Sequence, residues 1–427
     1  MTGGLNCELE DGCSGKGDGR TAVGTGRGQP EDIKRFRESV PKSASQLGGG
    51  LTDTLVSAGP KERGGFRIET ATPGDAEAIA KLKDAHGREG SVWLKRFRWQ
   101  FLDNPAYDAD RPIGWVVRTS EGEVLGHEMA MPQRFRLFGT EKTIAISSDT
   151  FVDPQLRGMG LGKDLFDAYF KARRGGVALG TSSNDATQHL WEKVGGFPIG
   201  NLNVIYRLPF RSHAVAVAEG GDSKSRSSLF KSANYVMGRI LDAVARRELP
   251  TLAKSTRCAS VEPEAEVLDE LWIRYGNDYP VTAVRDRTYR SWRYSQAPPP
   301  TPQVYLVEGR GDSGDDVRGW FVIRVVRRGR LTVVCELLDV FGPLRDREFQ
   351  RQVLISAVQV GAESGADMLE VQGMHPGWRA HMAGLGFLSV KLASDPFMCR
   401  NLGSFDEDAL RLPTSWHVCA ADGDAAV

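Results

Sequence analysis

The sequence predicts an α+β protein of the α/β-sandwich type, built as two tandem domains, each a mixed, mainly antiparallel sheet flanked by helices. Three observations carry this reading. From Thr143 to Phe170, a β-branched run stopped by Pro154 passes through clustered glycines into Leu165, Phe166, Tyr169 and Phe170 at helical spacing. Around that stretch, between Phe66 and Leu208, the order is strand, helix, three strands, helix, strand, helix, strand. The pattern then returns. Trp99 to Pro105 (Trp-Gln-Phe-Leu-Asp-Asn-Pro) is echoed by Trp292 to Pro298 (Trp-Arg-Tyr-Ser-Gln-Ala-Pro), a separation far longer than a solenoid period, which marks a duplicated domain.

Residues 1–65 are rich in Gly, Ser, Asp, Lys and Arg and hold Cys7 and Cys13. Such a segment buries too little apolar surface to offset its chain entropy, and it is expected to be disordered. Order should begin with a strand at Phe66 to Thr72, followed by a helix capped by Asp75 with Ala76, Ile79, Leu82 and Ala85 on its apolar face. Trp93 to Phe101 interleaves aromatics with Lys95, Arg96 and Arg98. Such a stretch can stack bases or sugars, but rings packed into the core from a helix are the commoner use and the favoured one. Strands at Ile113 to Arg118 and Val124 to Phe135 flank a turn at Glu121-Gly122, the second interrupted by Pro132. After the glycine stretch come a strand at Val177 to Thr181, a short helix with Leu190, Trp191 and Val194, a stop at Gly195-Gly196, and closing strands from Phe197 to Leu208.

Arg211 to Ser227 is polar and small and reads as a linker, and Leu229 to Arg247 as an amphipathic helix. The second set opens with a helix after Glu262-Pro263, with Val267, Leu268, Leu271 and Ile273 as its apolar positions. Strands follow at Val304 to Glu308, Trp320 to Val326 and Leu331 to Val340, then a helix at Phe349 to Ala362 and a strand at Met368 to Gln372. Trp378 to Phe387 mirrors Trp191 to Phe197. The expected boundaries are a tail at 1–65, a first domain at 66–210, a linker with helix at 211–257, a second domain at 258–405 and a C-terminal tail at 406–427.

The stretch with most chemistry is Arg157-Gly158-Met159-Gly160-Leu161-Gly162-Lys163. Glycines let successive amides converge on one point, the following helix adds orphan donors and the positive end of its dipole, and Arg157 adds a charge suited to phosphate. A nucleoside-triphosphate loop needs Ser or Thr after Gly-Lys, and Asp164 stands there instead. Glycines at 158, 160 and 162 also miss the Gly-x-Gly-x-x-Gly spacing of dinucleotide folds. Arg-x-x-Gly-x-Gly after Val152-x-Pro154 resembles the coenzyme A pyrophosphate loop of the GNAT superfamily of N-acyltransferases. Asn184 and the later Leu190-Trp191-Glu192-Lys193-Val194-Gly195-Gly196-Phe197 resemble that family's Asn and Leu-Tyr-x-Lys-x-Gly-Phe words.

The resemblance implies an acyl-CoA-dependent N-acyltransferase with acetyl-CoA, or another acyl-CoA, as co-substrate and no metal. It implies a primary amine of a small molecule or peptide as acceptor. A non-catalytic acyl-CoA-binding or scaffold protein is the alternative. By the same resemblance, Val152, Arg157, Gly158, Met159, Gly160, Leu161, Gly162, Lys163 and Asn184 would hold the cofactor. A bulged strand would free a backbone N–H near Phe151 or Val152 for the thioester oxygen. Asp149 is the leading candidate for the base, with His127 and Glu128 as rivals. Trp191 occupies the position of the family tyrosine that protonates the leaving thiolate, and Ser182, Ser183 or Tyr169 could stand in for it. The second domain has Phe341-Gly342-Pro343-Leu344-Arg345-Asp346 in place of the loop and should bind no coenzyme A, which makes it a degenerate copy.

Across 427 residues, Lys+Arg and Asp+Glu both number 55, so wholesale electrostatic binding to nucleic acid or an anionic membrane is not expected. No apolar stretch is long enough to span a bilayer, and six scattered cysteines have no metal spacing. These features point to a cytoplasmic protein with reduced thiols. The sequence leaves its oligomeric state open.

Overall fold

A long hairpin forms the spine of the first sheet. Strands β4 (Val124–Leu137) and β5 (Thr140–Val152) turn over Phe138 and Gly139, both at positive φ. In a computed structural model, the described residues are 61–172, 176–181, 183, 185–199, 204–210, 257–311, 314–328, 332–372, 376–391, 397–403 and 405–423. The expected linker at Arg211 to Ser227 and the helix at Leu229 to Arg247 lie outside them.

Around the hairpin, β1 (Lys61–Arg63), β2 (Phe66–Thr70) and β3 (Gly114–Arg118) add antiparallel to β4, and β6 (Val177–Gly180) adds parallel to β5. Alternation along the strands sends side chains to two faces. One face packs against α1 (Ala76–Ala85) and α2 (Gly90–Phe97): Ile79, Leu82, Trp93, Phe97 and Phe101 meet Val116, Met129, Met131 and Ile146. The other face packs against α3 (Leu161–Lys171) and α4 (Asp185–Lys193): Leu165, Phe166, Tyr169 and Trp191 meet Trp115, Val117 and Ala130. Trp93, Phe97, Trp99 and Phe101 are all buried, so the aromatic-basic stretch is core-facing, as its helical spacing predicts.

The second half repeats the succession. Strand β9 (Arg257–Val261), helix α5 (Glu266–Tyr275), strands β11 (Gln303–Gly311), β12 (Gly314–Arg328) and β13 (Thr332–Phe341), helix α7 (Arg347–Glu363) and strand β14 (Met368–Gln372) follow in order. Between them lie the short β10 (Val281–Ala283) and α6 (Arg287–Arg290), and after them α8 (Arg379–Gly384) and β15 (Leu388–Lys391).

The closing strands are exchanged between the halves. Of the stretch expected to complete the first sheet, only β7 (Phe197–Pro198) stays there. Strand β8 (Val204–Pro209) pairs with β14 and β15 in the second sheet. In return, β16 (Met398–Asn401) enters the first sheet between β6 and β7. Trp99 and Trp292, the two echoed tryptophans, meet where the halves join. Each indole N–H donates to the other's backbone carbonyl, at 3.0 and 2.8 Å, and their rings stack at 5.0 Å.

Four other expectations are corrected. The tail expected to run to residue 65 already contains β1, because Gly64 and Gly65 at positive φ fold Lys61–Arg63 back onto β2. Pro132 does not interrupt β4, since it sits in register opposite Ala145 in a strand running unbroken to Leu137. Residues 406–423 are not a tail. They form α9 (Glu407–Arg411) and β17 (Trp416–His417), which pairs with β10, and they bury Trp416, Val418, Cys419 and Asp422. Ile273 is 76% exposed, although its spacing from Leu268 and Leu271 suggested an apolar face. Among the described residues no helix is long and apolar enough to cross a membrane.

Candidate active site

The site is built on one irregularity of β5. Along the hairpin, Met129 faces Ser148 and His127 faces Phe151, so Asp149 and Thr150 stand opposite Glu128 alone, a bulge. Asp149 sits at φ 54, a left-handed value uncommon for a non-glycine residue. Its side chain is held from three elements: Lys83 of α1 at 2.7 Å, the Trp93 indole N–H of α2, and His127 Nε2 of β4 at 3.3 Å. Burial raises the Asp149 pKa, but the hydrogen bond and charge of His127 and the charge of Lys83 outweigh it and hold the carboxyl well below the usual carboxylate range. Burial lowers the Lys83 pKa, and Asp149 opposes that shift. His127 is wholly buried, and its Nδ1 has no hydrogen-bond partner among the described residues. Glu128, on the opposite face, accepts from Ser147 at 2.6 Å and from Thr150.

Beyond the bulge the sheet opens. β5 pairs with β6 only at Ile146–Leu179 and Ser147–Gly180, so β5 from Ser148 to Val152 has no partner on that side among the described residues. Two grooves meet here. One, of about 570 Å³, is lined by Arg88, Thr150, Phe151, Val152, Arg157 and the start of α4. The other, of about 410 Å³, is lined by Lys83, Glu89, Trp93, Arg96, Ser148 and Asp149, again with Arg88. Both volumes suit a small ligand. Arg88 stands over the Phe151 ring at 4.7 Å, on the ridge between them. All residues lining the second groove come from the first half of the chain.

The glycine loop begins with Asp153, which accepts from the Gln155 N–H at 2.8 Å. Gly158 and Gly160 have φ of 87 and 81. Gly160 stands at the N-cap of α3 and, having no side chain, makes no cap hydrogen bond to the first helix amides. Leu161 is buried beneath the turn, Met159 is 40% exposed, and Lys163 pairs with Asp167 at 2.7 Å. A Cβ on Gly162 would meet only Leu190. Arg63 of β1 lies beside Gly160 and pairs with the buried Asp164. Sequence reasoning missed Arg63, because it lies in the polar stretch expected to be disordered. It also missed Lys83 and Arg88, since neither lies in a recognisable word.

Trp191 is fully buried against Phe166 and Phe170, with no partner for its indole N–H among the described residues. The Tyr169 hydroxyl donates to Ala145 O at 2.8 Å inside the core. Ser183 is buried, while Ser182 and Asn184 lie outside the described residues.

The second half treats the matching region differently. Asp346 accepts from the Glu348 and Phe349 amides at 2.8 and 3.2 Å, filling the N-terminus of α7 from within. Leu344 is buried, and Trp320 stacks on Phe341 at 4.5 Å. Nearby, Asp339, His417 and Cys419 offer ligand atoms within 4.8 Å of one another. Those atoms are already engaged: Asp339 with Arg285 and Tyr294, and His417 with Thr282 and Val340 O. A cation would have to displace Arg285.

Residues 79–197 match the family model of the acetyltransferase (GNAT) family. No curated protein matches the chain. Saccharomyces cerevisiae N-myristoyltransferase with bound myristoyl-CoA aligns over 83% of this chain and 88% of its own, with 13% identity and a TM-score of 0.52. The same enzyme with bound myristoyl-CoA and inhibitors aligns over 83% and 85%, with 12% identity and a TM-score of 0.51. A GCN5-related N-acetyltransferase from Anabaena variabilis covers 79% of this chain and 73% of its own, at 12% identity and a TM-score of 0.49. With mixed sheets, a bulged central strand and a glycine turn at the start of α3 already in place, the match of residues 79–197 to the GNAT acetyltransferase family model supports an acyltransferase.

Proposed function

We propose that the chain transfers the acetyl group of acetyl-CoA to a primary amine of a small molecule or peptide. The observation that carries this reading is the juxtaposition of an open strand edge at the bulge with the uncapped amides of the Arg157–Gly162 turn. The pyrophosphate would lie on those amides beside Arg157, with Lys163 at the rim. The pantetheine arm would run along the free edge of β5. The Asp153 N–H donates to Leu125 O at 2.9 Å, so strand alternation turns the Val152 N–H the other way, into the opening. That favours Val152 over Phe151 as the donor to the thioester oxygen.

In the reaction, the amine nitrogen bonds to the carbonyl carbon and the carbon–sulfur bond breaks. The amine proton is lost and the thiolate is protonated, giving amide and free coenzyme A. Asp149 stays ionised through its ties to Lys83 and His127, so it is a weak base that orients the incoming nitrogen while water removes the proton. With Trp191 and Tyr169 both in the core, the thiolate leaves without a side-chain acid from either position. The acetyl donor follows the family model, although the aligned yeast enzyme holds myristoyl-CoA. The repeated succession, the self-capped α7 and the filled space at Trp320 support the second half as a degenerate copy without coenzyme A. The buried Trp191 also favours a second reading, a non-catalytic acyl-CoA binder.

Acetyl-CoA at a hundredfold excess over its dissociation constant should stabilise the wild type by about 2.7 kcal/mol, read as a raised melting temperature. Gly160→Glu, which puts a carboxylate beside the pyrophosphate site, should abolish the shift. An unshifted wild type removes the cofactor assignment. Binding without thiol release on any amine selects the non-catalytic reading.

A further inference from the structure

We infer that Ser148 and Asp149 together cradle the acceptor's amino nitrogen, each accepting one hydrogen bond from it, so that the site prefers primary to secondary amines. The inference rests on the acyltransferase reading for its chemistry but on the bulged strand alone for recognition. In a regular strand, neighbouring side chains point to opposite faces. The bulge breaks that alternation. Ser147 and Thr150 both turn to one face, where each donates to a carboxylate oxygen of Glu128. Ser148 and Asp149, which lie between them in sequence, both line the second groove. The left-handed backbone at Asp149 brings its side chain to the same side as that of Ser148.

Both side chains have room for a ligand. Ser148 is only 4% exposed, yet its hydroxyl has no hydrogen-bond partner among the described residues. Leaving a buried hydroxyl unpaired is destabilising, and a ligand group that bonds to it removes that penalty. On Asp149, Oδ2 takes the Trp93 N–H and faces His127 Nε2, whereas Oδ1 takes Lys83 at 2.7 Å. A carboxylate oxygen can accept two hydrogen bonds, so Oδ1 keeps one position open, and the side chain is 25% exposed. A neutral primary amine has two N–H bonds and one lone pair. With its N–H groups on Ser148 Oγ and Asp149 Oδ1, the lone pair is left for the thioester carbon, whose oxygen belongs at the Val152 N–H further along the strand. A secondary amine has one N–H and leaves an acceptor of the cradle unmet, which is how a site built for hydrogen bonds rejects an analogue lacking one.

The test is a fluorine NMR titration of the intact chain, without acyl donor, with trifluoroethylamine and its N-methyl derivative, both neutral at mildly alkaline pH. One hydrogen bond corresponds to about a fivefold change in affinity, so the primary amine should bind about fivefold tighter. Ser148→Ala should weaken the primary amine by that factor, leave the N-methyl compound unchanged and so erase the preference. Ser148→Thr, which keeps the hydroxyl, should retain it. Because the hydroxyl has no partner among the described residues, Ser148→Ala should not lower the melting temperature, which separates a ligand-holding role from a structural one. Absent binding of the primary amine, or a preference that survives Ser148→Ala, overturns the inference. So does tighter N-methyl binding in that variant, since crowding would then set the preference. Thiol release from acetyl-CoA is read separately across an amine panel. A Ser148-dependent preference in binding, without turnover of any amine, refutes the acyltransferase reading and upholds the cradle.

Discussion

Asp149 combines a left-handed backbone with a carboxylate held by Lys83, Trp93 and His127. The side-chain contacts explain how the backbone strain persists, since three elements fix the residue in place. Lys83 is almost wholly buried, so replacing it with methionine removes the ion-pair partner of the carboxylate and leaves it only Trp93 and His127. Lys83→Met should lower the unfolding free energy by about 3 kcal/mol in urea titrations near neutral pH. The sign of the pH dependence follows from Asp149. Its folded pKa is depressed, so the unfolded chain takes up the proton first as pH falls. The stabilisation is therefore complete above the unfolded value of about 4 and drains away as pH falls through the folded one. The stability gap between wild type and Asp149→Asn should narrow steadily from about pH 5 downward. A gap that stays constant over that range would show that the ion pair does not set it. Asp149 was legible as an acid on the strand before the loop. Its partners were not, because Lys83 and Trp93 reach it across more than fifty residues of chain and no local pattern encodes that approach.

Two helix N-termini of like placement are used in opposite ways. In α3 the cap is Gly160, which makes no side-chain cap hydrogen bond, whereas in α7 the Asp346 side chain accepts from the first amides. Asp346→Ala should cost about 1 kcal/mol of stability and leave the acetyl-CoA-induced melting shift unchanged. A reduced shift would mean that the second half takes part in cofactor binding. This contrast was readable in the sequence, because glycine and aspartate at a helix start have local conformational meanings. The same locality explains the successes over the strand and helix order and the aromatic α2. It also explains the failures. β1 is held by pairing with β2 rather than by its own Lys-Glu-Arg composition, and Ile273 has helical spacing without a neighbour to cover it.

At the scale of the molecule, each sheet takes strands from the other half: β8 joins the second sheet, while β16 joins the first, as do β10, which pairs with β4, and β17. Period and composition mark such segments as strands but not whose edge they join, which is why the sequence does not reveal that β8 leaves the first sheet. The exchange has an energetic consequence. Without β16, β6 and β7 lose the strand between them, and Met398 and Cys399, both buried, leave the first core. Without β8, β14 and β15 are parted in the same way. The Trp99–Trp292 contact adds two reciprocal hydrogen bonds at the join. Neither half is complete as a folding unit, so the described chain should unfold in a single calorimetric transition even though it contains two sheets. Residues 61–210 produced alone should lack the near-ultraviolet dichroism of packed aromatics, and adding residues 257–427 in trans should restore it together with the acetyl-CoA melting shift. Two separate transitions, or a first half that packs and binds acetyl-CoA unaided, would show that the exchanged strands decorate two independent domains rather than bind them into one.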